Sequence, residues 1–275
     1  MKISCMLNLR VLIREGGHMR SVRLSEVQKF DISEALLIPD AQLPYRSCEG
    51  QSCSYCIEQQ NILVSYQLML MSKHDYSTGE HCSKIQSYFQ LLMGHLMNTQ
   101  PYQEELSRYC LPLCVIASTL HDIGKIALPE SIVLKPSKLS TLEYARMKDH
   151  VHEGVRMIHS YRDTIPYPKL LATMKTIIYC HHEHWDGSGY PRGLQGDHIP
   201  IVGRIMSVVD VYDALTSRRP YKKALSHKEA VDFIQTRSAT QFDPYIVKAF
   251  QEIQHLFEGI RKMFCTLENT FNPYF

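Results

Sequence analysis

From about residue 60 to the C-terminus, apolar side chains recur every three or four residues. That period commits this part of the chain to amphipathic helices sharing one core. Ile85, Tyr88, Phe89, Leu92 and Leu96 make one stripe, Tyr144, Met147, Val151, Val155 and Ile158 a second, and Ile246, Phe250, Ile253 and Phe257 a third. Start signals agree with the stripes. Ser140 with Glu143 and Ser226 with Glu229 have capping-box spacing, and Asp243 precedes a proline, Pro244, suited to a first helical position. The expected fold is mostly α, a helical bundle.

The first 60 or so residues read differently. β-type runs at Leu9 to Arg14 and Ser21 to Leu24 flank Gly16-Gly17, and a short helical candidate follows near Ser33 to Leu37. The spacing predicts a small α+β strand-strand-helix unit. The chain is therefore divided into residues 1–60, a small cysteine-containing segment with a sensory role, and residues 61–275, the helical domain.

Charge excludes several functions. Thirty Lys and Arg against 28 Asp and Glu leave a net charge of +2, which gives no broad field for duplex nucleic acid or an anionic membrane surface. An anionic ligand must be held locally. No stretch approaches the roughly 18 apolar residues that span a bilayer, and Met1 to Arg14 is broken by Lys2, Asn8 and Arg10, unlike a signal peptide. Nine cysteines, an odd number without an export signal, fit a reducing, cytoplasmic compartment. A homodimer is left open.

Histidine is over-represented, with 14 in the chain, and imidazole is the commonest metal ligand. The informative residues are His81, the pair His121-Asp122, His150, the pair His181-His182, and Asp210. Imidazole suits iron, manganese and zinc, and a carboxylate can bridge two ions. Seven ligands exceed the needs of one metal, whereas two ions sharing a bridging water would use them all and clamp both oxygens of a phosphoester displacement. A single histidine on a helix is more often packing or surface, the reading adopted for His95 and His255. The full set resists it, because burying two adjacent polar pairs uncompensated would cost about several kcal/mol.

The series His121-Asp122-Ile123-Gly124-Lys125, His150 with Gly154, His181-His182-Glu183, Asp186-Gly187-Ser188-Gly189-Tyr190-Pro191, Arg204-Ile205 and Asp210-Val211-Tyr212-Asp213-Ala214-Leu215-Thr216 resembles the successive signatures of HD-GYP domains. Arg219-Pro220-Tyr221-Lys222 and Phe242-Asp243-Pro244 continue the match. The resemblance covers roughly residues 60 to 257. It implies a helical HD-domain bundle, a metal-dependent phosphodiesterase that opens cyclic di-GMP to linear pGpG and/or GMP through a hydroxide bridging two divalent metals, iron or manganese. It further implies that His81, His121, Asp122 and Asp210 hold one metal and that Asp122, His150, His181 and His182 hold the other, with Asp122 as the bridge. Lys125 then faces the reacting phosphate, Arg219 and Lys222 the second phosphate. The resemblance also leaves an exposed Tyr190 to stack on guanine or, within Gly189-Tyr190-Pro191, to dock diguanylate-cyclase (GGDEF) domains. Some relatives carry a glutamate four residues before the first histidine and a third metal; Ser77 stands there, so two metals are expected. Val151 replaces a frequent proline after His150.

Cys48, Cys53 and Cys56 have C-x4-C-x2-C spacing, as do three ligands of plant-type 2Fe-2S ferredoxins. The surrounding loop resembles a ferredoxin's, which would make the segment a β-grasp fragment. A 2Fe-2S cluster, zinc and free thiols all remain open readings. Cys82 lies near the distance for a fourth ligand but adjoins His81 and is expected to face the bundle. The alternative functions are hydrolysis of a mixed GMP-AMP ring or another phosphoester on the HD scaffold, and a non-catalytic cyclic di-GMP receptor or adaptor.

Overall fold

The computed structural model describes residues 10–15, 18–23, 36–38, 77–160, 168–217 and 223–271. Three short strands, β1 (Arg10–Glu15), β2 (His18–Arg23) and β3 (Leu36–Ile38), form an antiparallel sheet of order β2-β1-β3. β1 and β2 pair antiparallel, Glu15 opposite His18 and Arg10 opposite Arg23, as the flanking β-type runs require. The third element differs from expectation: Leu36 to Ile38 pair with Leu12 to Arg10 as a strand instead of ending a helix. Branched, apolar Leu-Leu-Ile before Pro39 suits a strand, and β1 offers it a free edge. Among the described residues, the end of the expected helix is thus a strand. Residues 33–35 and Cys48, Cys53 and Cys56 lie outside the described residues.

The remainder is helical, as predicted. α1 (Ser77–Leu96), α2 (Gln103–Leu106) and α3 (Leu111–Ser118) lead into a 3-10 turn at Ile123–Ala127. α4 (Glu130–Val133), α5 (Thr141–Lys148), α6 (His150–Ser160) and α7 (Pro168–Cys180) follow. After a loop with a 3-10 turn at Gly196–His198 come α8 (Ile201–Thr216), α9 (His227–Thr236) and α10 (Pro244–Phe271). No helix is long and apolar enough to cross a membrane among these residues.

α8 is the centre of the bundle, buried from Ile201 to Val209 on every side. α1 packs on α3, α8 and α10, while α7 packs on α3, α6 and α8. The first and third stripes are fully internal: Ile85, Tyr88, Phe89 and Leu92 meet Phe250 and Phe257. The Tyr88 and Phe257 rings stack at 4.7 Å, and Tyr212 meets both edge-on at 5.2 Å. Both capping boxes form, and Asp243 Oδ1 accepts the backbone N–H of Tyr245 at 2.9 Å to start α10.

The second stripe is split. Val151 and Ile158 are buried on α6, but α5 has no buried residue and Tyr144 is half exposed. Asp149, itself in the right-handed helical conformation, closes α5 with its N–H bonded to the Arg146 carbonyl, and His150 opens α6. Two helices thus stand where the periodicity suggests one, separated by Asp149 alone, and the second begins at the site residue His150.

Candidate metal centre

Five elements each bring one part of the site. His81 comes from the first turns of α1, His121 and Asp122 from the end of α3 where it tightens to the 3-10 turn, His150 from the start of α6, His181 and His182 from the end of α7, and Asp210 from α8. The approach of the 3-10 turn to α6 depends on Gly124, where a Cβ would stand 1.9 Å from the His150 carbonyl oxygen and 2.4 Å from the Gly154 nitrogen. Only glycine permits that contact.

Asp122 is the hub. Its Oδ1 lies 3.3 Å from His150 Nε2 and 3.8 Å from His181 Nε2, and its Oδ2 lies 3.3 Å from His121 Nε2. Two groups of ligand atoms share it: Asp122, His150, His181 and His182 on one side, and His81, His121 and Asp122 on the other, each mutually within 4.8 Å. Asp210 approaches the second group through Oδ1, 3.6 Å from His121 Nε2.

The imidazoles are oriented by their outer nitrogens. Nδ1 of His121, His150 and His181 lies 2.8, 2.7 and 3.0 Å from the carbonyls of Ser118, Met147 and Ile178, and His81 Nδ1 lies 2.7 Å from Asp213 Oδ2. With Nδ1 turned outward each ring directs its Nε2 at the centre, the arrangement metal-ligating histidines adopt. Packing alone would leave a loss here, since buried His121 Nε2 and Asp122 Oδ1 make no hydrogen bond, at about 1–3 kcal/mol for each unsatisfied group. The donor set thus fits divalent ions.

Charge is apportioned unevenly. Burial pulls His121 down, but the Asp122 and Asp210 carboxylates outweigh it and raise it to about 10. Burial opposes ionisation of Asp122 too, yet Lys125, His121 and His150 hold it well below the carboxylate range; His121 does the same for Asp210. Burial and neighbouring imidazoles keep His181 low, and burial lowers His182 to about 3 and also lowers His150. These three are neutral, hence ready as ligands. Lys125, on the 3-10 turn, bonds to Asp122 Oδ2.

Asp213 and Glu183 emerge as organising carboxylates that carry no role in the sequence reading. Asp213, buried on α8, holds His81 and takes Ser217 Oγ at 3.1 Å. It stands three residues after Asp210 and so on the same helix face, a signal available in the sequence. Glu183, buried beside His182, accepts the N–H groups of Arg192 and Leu194, both at 2.9 Å, and so pins the glycine-rich loop. A Cβ at Gly189 in that loop would stand 2.3 Å from His184 N. Tyr190 is half-buried instead of exposed, its ring stacked on His182 at 4.6 Å and 25°; Glu183 and Gly189 draw the loop inward. Cys82 is half-buried and reaches the Thr119 carbonyl, its thiol pushed up to about 12 chiefly by burial. His95 pairs with Glu252 at 2.7 Å and His255 is exposed, both outside the centre. Arg219 and Lys222 lie outside the described residues.

Residues 111–246, which carry all of these ligands except His81, match the family described as HD domain. This part of the chain belongs to the HD-domain family. HD domains bind divalent metal, consistent with the His/Asp cluster. This HD protein is 38% identical over 195 residues to a cyclic di-GMP phosphodiesterase of Vibrio cholerae, a match covering 71% of this chain and 40% of the relative. It is 37% identical over 215 residues to a probable cyclic di-GMP phosphodiesterase of that organism, covering 78% and 49%. A 3'3'-cGAMP-specific phosphodiesterase 2, also from Vibrio cholerae, is 36% identical over 184 residues, covering 67% and 33%. The chain thus spans less than half the length of these relatives.

Proposed function

We propose that this chain is an HD-GYP phosphodiesterase hydrolysing cyclic di-GMP to linear pGpG and/or GMP. The observation that carries the proposal is the pair of ligand groups sharing Asp122, each with imidazole nitrogens turned inward. In this reading His81, His121, Asp122 and Asp210 hold one divalent ion and Asp122, His150, His181 and His182 the other. Iron or manganese suits that donor set. Bound there, the ions supply an acidified water near neutral pH and Lewis-acid polarisation of the phosphoryl group.

The chain's own residues do the rest. Lys125, now bonded to Asp122, places an ammonium where a phosphoryl oxygen gains negative charge. The neutral, oriented imidazoles need no rearrangement when substrate arrives. Arg219 and Lys222 are proposed to contact the second phosphate. A cluster or zinc at Cys48, Cys53 and Cys56, a cytoplasmic location, a homodimer, GGDEF partners at Gly189-Tyr190-Pro191, and the division at residue 60 belong to the same reading.

A mixed GMP-AMP ring is the competing substrate, favoured by the third relative's specificity. A receptor without turnover is disfavoured by the complete ligand set. The test is anaerobic purification, loading with ferrous or manganous ion, and chromatography of products from each cyclic dinucleotide. Linear pGpG or GMP from cyclic di-GMP, lost in Asp122→Ala, supports the proposal; tight binding without cleavage in the fully metallated chain sinks it.

A further inference from the structure

We propose that Lys148 contacts a phosphate of the bound cyclic dinucleotide other than the one attacked, its ammonium held between Tyr144 and Tyr190 at the edge of the metal centre. The inference rests on the cyclic-dinucleotide reading above. Lys148 is the last residue of α5, and His150 begins α6 two residues later with its Nε2 3.3 Å from Asp122. The His150 imidazole is buried, while the lysine stays half-buried at the rim. Its Nζ lies 5.0 Å from the centre of the Tyr144 ring and 5.0 Å from that of Tyr190. Tyr190 in turn stacks on His182. The cation is thus one aromatic ring away from a proposed metal ligand.

Neighbouring cations are neutralised by carboxylates: Lys125 by Asp122, Lys135 by Glu143, Arg146 by Asp149. Lys148 has no such ion pair among the described residues and is held by aromatic rings, which attract an ammonium without cancelling its charge. Rings also limit its rotamers, so less freedom remains to be lost on binding. Tyr144 buries nothing in the core, being 50% exposed on a helix with no buried residue, and the stripe it was expected to join does not include it. Its contact with Lys148 accounts for an aromatic side chain in that place.

An ammonium offers charge and three donors, suited to a phosphate oxygen. A base would need a free ring face, and Tyr190 is already occupied by His182 and Lys148. Lys125 reaches the centre through Asp122, Lys148 through Tyr190 and His182. Two lysines on separate approaches match a substrate with two phosphates.

The experiment compares Lys148→Gln with the wild type, both loaded with manganese, on cyclic di-GMP and on bis(p-nitrophenyl) phosphate, which has one phosphate and no ring. The proposal expects unchanged metal content, unchanged kinetics on the small diester, and KM for cyclic di-GMP raised about tenfold or more, the size of one charge-assisted contact. Lys148→Arg restores much of it, and exposed Tyr144→Ala gives a smaller rise. Equal loss on both substrates with falling metal content means that Lys148 only braces Tyr190, and no change on either removes it from binding; both overturn the proposal. A wild type that hydrolyses the small diester yet neither cleaves nor binds cyclic di-GMP overturns the substrate reading itself. Equal binding of cyclic di-GMP by wild type and Lys148→Gln overturns only the lysine's role.

Discussion

At the scale of single residues, the site turns on inward-facing atoms that lack a hydrogen-bond partner, Asp122 Oδ1 and His121 Nε2. The seven proposed ligands are legible in the sequence because adjacent polar pairs among helical apolar stripes have no other cheap explanation. Asp213 is not, although it follows Asp210 on one face. Its partner His81 is 132 residues away, and the sequence gives no register between α1 and α8. Asp213→Ala removes the oxygen that fixes the His81 ring, and we expect metal affinity about 10–100-fold weaker with the helical content unchanged. Competition against a chelator measures it; an affinity equal to wild type means that His81 needs no such support. Tyr190 was misplaced for a related reason. Its exposure depends on Glu183 and Gly189 drawing the loop inward, and a glycine-rich string alone does not disclose that direction.

Elements show where periodicity misleads. Tyr144 and Met147 keep the same spacing as Val151 and Ile158, and neither glycine nor proline marks the turn between them. The capping box at Ser140 fixes where α5 starts, but the boundary at Asp149 has no comparable sequence signal. The box itself is testable by pH. Bonds from Lys135 and Ser140 lower Glu143 to about 2. The folded carboxyl lies below its ordinary value of 4.5, so its contribution to α5 is complete above that value and is lost as pH falls toward 2. An NMR titration should give a Glu143 midpoint near 2 in wild type and higher in Lys135→Met; a wild-type midpoint near 4.5 refutes the pairing. The Gly124 contact is harsher. Gly124→Ala places a methyl against backbone on both sides, so neither element can yield, and we expect about 3 kcal/mol of destabilisation with loss of bound metal. Unaltered denaturant midpoint and metal content would show that the two elements separate freely.

For the whole molecule, the helical class and two of three core stripes could be read from apolar spacing, since burial follows from that period. What joins the bundle non-locally could not. Buried Arg204 on α8 makes two bonds to Glu105 at 3.0 and 2.9 Å, one to Asp243 at 2.8 Å and one to Asp197 at 3.2 Å. Tyr102 adds its hydroxyl to Asp243 at 2.6 Å. This network ties the segment before α3, the loop before α8 and the start of α10 to the central helix, and it needs residues 99 positions apart to meet. Arg204→Ala leaves the buried Asp243 carboxylate short of its counter-charge, with an expected cost of about 3–5 kcal/mol. A melting temperature within a degree or two of wild type would contradict that assignment.

The central claim is that one carboxylate is shared by two metal positions, and metal stoichiometry of ligand variants tests it most directly. Elemental analysis of anaerobically loaded protein should find about two ions per chain, about one in His81→Ala and in His182→Ala, and almost none in Asp122→Ala. A wild type that binds one ion, with His81→Ala binding the same amount, would contradict a shared centre.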